Sequence, residues 1–346
     1  MTFKPAHRRI ITLSVGVVLL VAFIVAGSTL RVPYIALGPG VTVNTLGDFE
    51  GKRVVKVSDA VDPNPKGNLN LTTVSLYDGL TLFDALGMWI SGSYELAPRD
   101  LYYPPDQTVE QVQEQNTAQM AGSEANATMA AMQYLNKPVA LGVGDVAKKG
   151  PSAGKLLPSD RVISVDGTPI NGPQALFDVL AKKKPGDEIA VVVQRRAERL
   201  TQQVTLGARP DDAERPYLGI TPQMVPADPN TNIVYSVGAI GGPSAGLMLT
   251  LSVIDQMTPG NLTHGKFVAG TGTIDPSGKV GPIGGIEHKI KAARDAGATV
   301  FLVPADNCAA ATSDTPDGVE LVKVENLTGA MDALATLDTD KSRPSC

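Results

Sequence analysis

Apolar and polar positions fall into four textures along the chain. From Ile10 to Leu30, 21 residues pass without a charge, and as a helix they would rise about 30 Å, the thickness of a bilayer's hydrocarbon core. Residues 31 to about 100 instead break into short extended runs separated by Gly and Pro, among them Arg53–Val57 and Leu71–Leu76. From Thr108 to Leu135 the residues are helix formers, with apolar positions at helical spacing behind Pro104-Pro105-Asp106, so a long helix with a core-facing Met and Ala stripe is expected. After residue 138 strand-like and helix-like runs alternate to about residue 338, which argues for two mixed αβ units.

The first unit, 138–207, reads as a strand (PVALGVGDV), a Gly-rich turn, a second strand closed by Asp166-Gly167, a helix, and two strands. Asn171 is the expected helix cap, and Pro185-Gly186 the stop. A polar, Pro-bounded stretch at 208–216 reads as a linker. The second unit, 217–340, runs strand (Asn232–Val237), Gly-rich turn, apolar helix (SAGLMLTLSVIDQM), extended Phe267–Ile274, a turn and helix (GPIGGIEHKIKAARDAG) and buried strand Thr299–Val303, ahead of a 341–346 tail. The expected fold class is α+β multidomain, with the N-terminal transmembrane helix 10–30 behind a cytoplasmic segment 1–9. Residues 31–137 form extracytoplasmic β segments and a helix packing with the second unit.

Charge fixes the orientation of that helix. Lys4, His7, Arg8 and Arg9 precede it, so the N-terminus is expected inside and the bulk of the chain outside, at a cell membrane crossed once. A cleaved signal peptide is the alternative, with Val25 and Gly27 as small residues before a cut; the run exceeds the usual ~7–15 residue signal core, which favours a retained anchor. A net charge of −5 gives no general attraction to nucleic acid. Cys308 and Cys346 lack metal-ligand spacing, and pairing or not pairing both remain open in an oxidising space. His7, His264 and His288 are scattered, which argues against a zinc site.

Two identical pentapeptides carry the candidate chemistry: GPSAG at 150–154 and again at 242–246. In the first, Ser152 lies in a loop and reads as turn chemistry. The Gly154-Lys155 pair is not a phosphate loop, because Leu156 stands where the Walker pattern needs Ser or Thr. In the second, Ser244 sits where a Gly-rich turn enters an apolar helix, leaving backbone N–H groups free for a developing oxyanion. A serine needs a base, and neither His264 nor His288 has a convincing context. Lys289, 45 residues on and flanked by small and apolar residues, can serve if burial lowers its pKa. Lys291 is two positions away and points to a different helix face. Ser244 as a plain helix cap, Thr271 as a strand residue and Lys289 as a surface lysine are the bland alternatives.

Two resemblances follow. The run Ser159-Asp160-Arg161-Val162-Ile163-Ser164-Val165-Asp166-Gly167 and its surroundings resemble a PDZ domain over about 70 residues, a fold that binds extended peptide ends by adding them to a sheet; no Gly-Leu-Gly-Phe-type carboxylate loop accompanies it. GPSAG at 242–246, TGTI at 271–274 and PIGGIEHKIKAA at 282–293 look like the proteolytic domain of Lon-type Ser–Lys peptidases. With the anchor, the whole resembles the YlbL-type membrane-anchored, PDZ-containing Lon-like peptidases of bacteria. The resemblance implies Ser244 as nucleophile, Lys289 as general base, Thr271 as the residue orienting its amine, and an oxyanion hole from the backbone of Gly242 and Ser244. It departs from the Lon pattern at Gly241, where an acidic residue is usual. It implies protein or peptide substrates, no cofactor, metal or ATP, and leaves a homo-oligomer open, since Lon-like domains often form rings. The function expected is an ATP-independent serine endopeptidase acting on unstructured or exposed segments; the alternative is a non-catalytic PDZ adaptor with a degenerate Lon-like domain.

Overall fold

The computed structural model describes residues 5–209, 212–313, 315–339 and 341–346, and of 5–10 the backbone alone. Lys4, Pro210 and Asp211 therefore lie outside the described residues, as do Asp314 and Asp340. Two compact units share the chain, 1–41 with 73–114, and 42–72 with 115–346.

The first unit begins with α1 (Pro5–Thr29), whose stretch Ile11–Thr29 is long and apolar enough to cross a membrane. The chain continues into β1 (Tyr34–Asn44) and β2 (Asn68–Tyr77), then α2 (Leu82–Ser91) and β3 (Glu95–Pro98). β1 and β3 pair antiparallel, Tyr34 opposite Pro98 and Leu37 opposite Glu95. Alternation in β1 serves two small cores: Ile35 and Leu37 face Ala97, Val74 and Tyr103, while Ala36 faces Leu80, Ala85 and Met88. Thr81 caps α2 with a full capping box, its hydroxyl accepting from the Asp84 N–H while the Asp84 carboxylate accepts from the Thr81 N–H. The 31–137 stretch thus divides, with 31–41 and 73–114 forming this unit and the rest packing elsewhere.

The second unit opens with the long helix α3 (Val109–Tyr134), of which residues from Gln115 on belong here. Its buried stripe, Met120, Ser123, Ala127, Ala130 and Ala131, recurs at helical spacing. Next comes an antiparallel sheet built from β4 (Val139–Val146), β5 (Arg161–Val165), β6 (Glu188–Arg195), β7 (Glu198–Thr205) and β8 (Ile220–Pro226), in the order β7-β6-β5-β4-β8. Helix α4 (Pro173–Leu180) is capped by Gly172 rather than Asn171, because Pro173 takes the first helical position, where its missing N–H costs nothing. β8 lies past the expected linker, yet it pairs with β4 along its whole length, Ile220 opposite Val146 and Pro226 opposite Val139. As the outermost strand it tolerates Pro222 and Pro226.

The remainder of this unit is a parallel sheet flanked by helices. β9 (Phe267–Gly270), β10 (Val300–Pro304) and β11 (Glu320–Val324) run parallel, with the start of β2 beside β9. Parallel strands are covered on both faces, and β10 shows it: Val300 and Leu302 join the core around α5 (Gly246–Met257), Phe301 and Val303 the core around α6 (Ile286–Asp295). All twelve residues of α5 are buried, as expected of a helix enclosed by its domain. Cys308 and Cys346 form a disulfide, which resolves the open alternative, and residues 343–346 lie along β11.

Candidate active site

Ser244, Thr271 and Lys289 are far apart in sequence but converge at the carboxyl end of β9, where open parallel sheets place their ligands. Ser244 occupies the turn before α5. The helix is capped at Ala245 without a side-chain bond, so the serine hydroxyl is not spent as a helix cap. Gly246 lets the helix start close to its surroundings: a Cβ there would meet Ile274 Cγ2 at 2.9 Å and Ser123 Oγ at 3.0 Å. Thr271 directly follows β9 and is fully buried.

Lys289 stands in the buried stripe of α6 with Ile286, Ile290 and Ala293, the i, i+3, i+4, i+7 pattern of an inward face. Lys291 falls off that stripe and is half-buried. The turn that launches α6 is held by Asn307, whose side chain accepts from the Ile283 N–H and donates to the Ile283 carbonyl, both at 2.9 Å.

The geometry is compact. Lys289 Nζ lies 2.8 Å from Ser244 Oγ and 3.0 Å from Thr271 Oγ1. Thr271 donates its own hydroxyl proton to the Ser244 carbonyl at 3.1 Å, so towards Lys289 it acts as an acceptor. That bond takes one amine N–H and leaves the nitrogen's remaining valences free to turn toward the serine. The Gly272 N–H donates to the same Ser244 carbonyl at 2.9 Å, so the 271–272 turn grips the Ser244 backbone as well as the Lys289 amine. Lys289 is 3% exposed, and burial lowers its pKa from the ordinary 10.5 to about 7. A buried amine that is neutral near pH 7 can take a proton from a hydroxyl; an exposed ammonium cannot.

The oxyanion donors differ from expectation at one position. Gly242, in a left-handed turn (φ 87°), aims its N–H at α3, where it donates to the Asn116 carbonyl at 2.9 Å. That donor is occupied, and Pro243 has no N–H to offer in its place. Of the two backbone groups expected, the Ser244 N–H remains. Asn116 and Ser123, seven residues apart on one face of α3, both touch this turn; Ser123 donates to the Pro243 carbonyl at 3.2 Å. Both were hidden in a helix whose sequence reads as plain packing, although Ser123 is a polar residue inside the apolar stripe.

Ser152 has a different fate. It is fully buried, and its hydroxyl donates to the Leu218 carbonyl at 2.6 Å. His264 pairs with Asp338 at 2.6 Å, away from these residues. Among the described residues no cluster of His, Cys, Asp and Glu could hold a metal ion.

Two stretches of the chain match known protein families. Residues 228–334 match the Lon protease (S16) C-terminal proteolytic domain, and residues 108–206 match the PDZ domain. The chain joins a PDZ domain to a Lon-type proteolytic domain. The Lon protease of Phenylobacterium zucineum is 33% identical over 173 residues, covering 48% of this chain and 21% of that protein. Lon protease 2 of Bacillus subtilis is 31% identical over 122 residues, covering 35% of this chain and 22% of its own length. The chain thus spans about a fifth of the length of these relatives. The PDZ domain of an SdrC-like protein from Listeria monocytogenes matches 24% of this chain and 86% of its own, at 24% identity and a TM-score of 0.23. The PDZ match begins at residue 108 and so includes α3, upstream of the expected 138. The Lon-type match begins at residue 228, just past β8.

Proposed function

We propose that the chain is a membrane-anchored, extracytoplasmic serine endopeptidase working through a Ser244–Lys289 dyad. The carrying observation is the buried Lys289 amine, 2.8 Å from Ser244 Oγ and held near neutrality. Ser244 Oγ attacks the scissile carbonyl as Lys289 Nζ takes its proton, forming a tetrahedral intermediate whose oxyanion faces the Ser244 N–H. The ammonium then protonates the leaving amine, the C–N bond breaks, and an acyl-enzyme remains on Ser244. Water, deprotonated by the same lysine, releases the acid product and restores the serine. Thr271 keeps the amine aimed through both halves.

The reading includes ATP independence, which the resemblance implies and which is supported by the Gly154-Lys155 pair, followed by Leu156 where a phosphate loop needs Ser or Thr. Its substrates are accordingly segments already unfolded, and the PDZ domain recruits them or gates access. The basic flank before the apolar helix supports an orientation with the catalytic bulk outside the cell membrane.

The test is cleavage of fluorescently labelled casein by the purified full chain in detergent, comparing wild type with Ser244→Ala. Release of peptides by wild type alone is expected. Cleavage that survives the substitution overturns Ser244 as nucleophile, whereas a wild type inert toward every unfolded substrate tried overturns the enzyme reading in favour of a scaffold.

A further inference from the structure

Helix α2 presents three different faces. Ala85 and Met88 turn into the protein, against Ala36 and Leu80. Asp84, Gly87 and Ser91 make a polar side. The third face is apolar and uncovered: Ile90 is 71% exposed, Trp89 66%, Leu86 45% and Phe83 36%. Residues 83, 86 and 90 follow helical spacing, so this is one continuous stripe.

The position of α2 says what covers that stripe. Its first residues are tied to the end of the apolar helix α1: Leu82 N–H donates to the Leu30 carbonyl at 3.2 Å, and Arg31 bridges Thr81. Phe83 then reaches back along α1. Its ring meets Phe23 edge-on at 5.4 Å between centroids, and lies so close over Gly27 that a Cβ there would fall 2.3 Å from the ring. Phe23 is six residues before the end of α1 at Thr29, about 9 Å along a helix axis. The stripe therefore begins alongside α1 inside the segment long enough to span a bilayer. A short helix with one apolar and one charged-or-polar side at that depth has the make-up of an interfacial helix, which buries its apolar face some 5–10 Å into the headgroup–acyl boundary. Trp89 suits the site, since indole rings concentrate at membrane interfaces.

We propose that α2 is a second membrane contact, lying in the outer leaflet beside α1 with Phe83, Leu86, Trp89 and Ile90 in lipid. This rests on the reading of α1 as a retained anchor. The membrane then holds the first unit by a helix crossing it and a helix lying in it, so that α1 cannot swivel freely about its own axis.

Trp89 is the chain's one tryptophan, so its fluorescence reports this contact without labelling. The full chain is reconstituted into phosphatidylcholine vesicles and washed with alkaline carbonate. Trp89 emission is then recorded with aqueous iodide, and with lipids brominated high or low on the acyl chain. The expected result is retention after the wash, blue-shifted emission, protection from iodide, and quenching stronger by the high bromines than by the low. Trp89→Phe abolishes the signal, and Phe23→Trp in that background supplies a reference inside α1. Retention with water-like, iodide-quenched emission overturns the proposal while leaving the anchor standing. Protection from iodide without quenching by bromolipid also overturns it, because a protein surface then covers the stripe. Loss of the chain in the wash removes the anchor reading, and this inference with it.

Discussion

The two GPSAG turns place the same five residues in opposite employment. At 150–154 the serine hydroxyl is fully buried and spends its proton on the Leu218 carbonyl, which makes it a structural strut between the turn and the chain just before β8. At 242–246 the hydroxyl is partly open and faces a buried amine 2.8 Å away. Nothing inside the pentapeptide makes this difference. It comes from what each turn is packed against: a backbone carbonyl in one case, and in the other the Thr271 turn and the inward stripe of α6. Reactivity at a serine belongs to its neighbours.

The comparison can be broken most directly at Ser244 and Lys289, the proposed nucleophile and base. Ser244→Ala and Lys289→Ala are each expected to cut casein turnover by at least about 10³-fold, and the double variant to lose little more, since residues acting as one unit are far from additive. An additive double variant would mean that the two side chains work separately. Next in size is Thr271→Val, expected to cost about 10–100-fold through misplacement of the amine, with Thr271→Ser restoring most of the rate. The Val variant also removes an acceptor from the ammonium form, so the inflection of its pH–rate profile should move to lower pH; an unmoved inflection would reduce Thr271 to packing.

The pH profile of the wild type sharpens the same contrast. Lys289 accepts a proton only as the free amine, and burial sets its pKa at about 7. Below that value the ammonium predominates and kcat/KM should fall, while above it the rate should climb to a plateau within about one unit. A profile flat across this range would exclude Lys289 as the base. The smallest effect belongs to the first turn. Ser152→Ala should leave kcat/KM unchanged while lowering stability by about 1–3 kcal/mol, the cost of an unpaired buried carbonyl at Leu218; chemical denaturation measures this directly. A loss of turnover with stability intact would return catalytic weight to the 150–154 copy.

Much of this was legible in the sequence, for identifiable reasons. Long, strongly patterned stretches announced their elements: the uncharged run became α1, the Ala- and Met-rich run became α3, and SAGLMLTLSVIDQM contains α5. Lys289 and Lys291 could be assigned to different helix faces from their spacing, but it is the Lon-type resemblance that picks Lys289; the structure puts it on one face with Ile286, Ile290 and Ala293. What escaped were relations between distant segments. No local feature of Ile220–Pro226 says that it pairs with Val139–Val146 across an intervening helix and several strands. The Gly242 N–H looked free because its partner is a backbone carbonyl at Asn116, and carbonyls are invisible to residue identity. Asn171 looked like a cap because Asn often is one, until Pro173 fixed the start of the helix one residue later. Asn307 gives no sign in sequence that it braces the turn before α6.

The disulfide between Cys308 and Cys346 has a consequence beyond joining two residues. β11 is the last strand in its sheet, and an outer strand with open backbone groups is a template for pairing with another molecule. Here residues 343–346 run over that rim: the Lys323 N–H donates to the Pro344 carbonyl at 2.8 Å, Ser345 bridges Val322, and Arg343 grips Glu320 with two bonds at 2.7 and 2.8 Å. Cys346 fastens this cover covalently. With that cover fastened, two copies meeting rim to rim find this strand already covered, so the bond works as a guard against strand-to-strand aggregation.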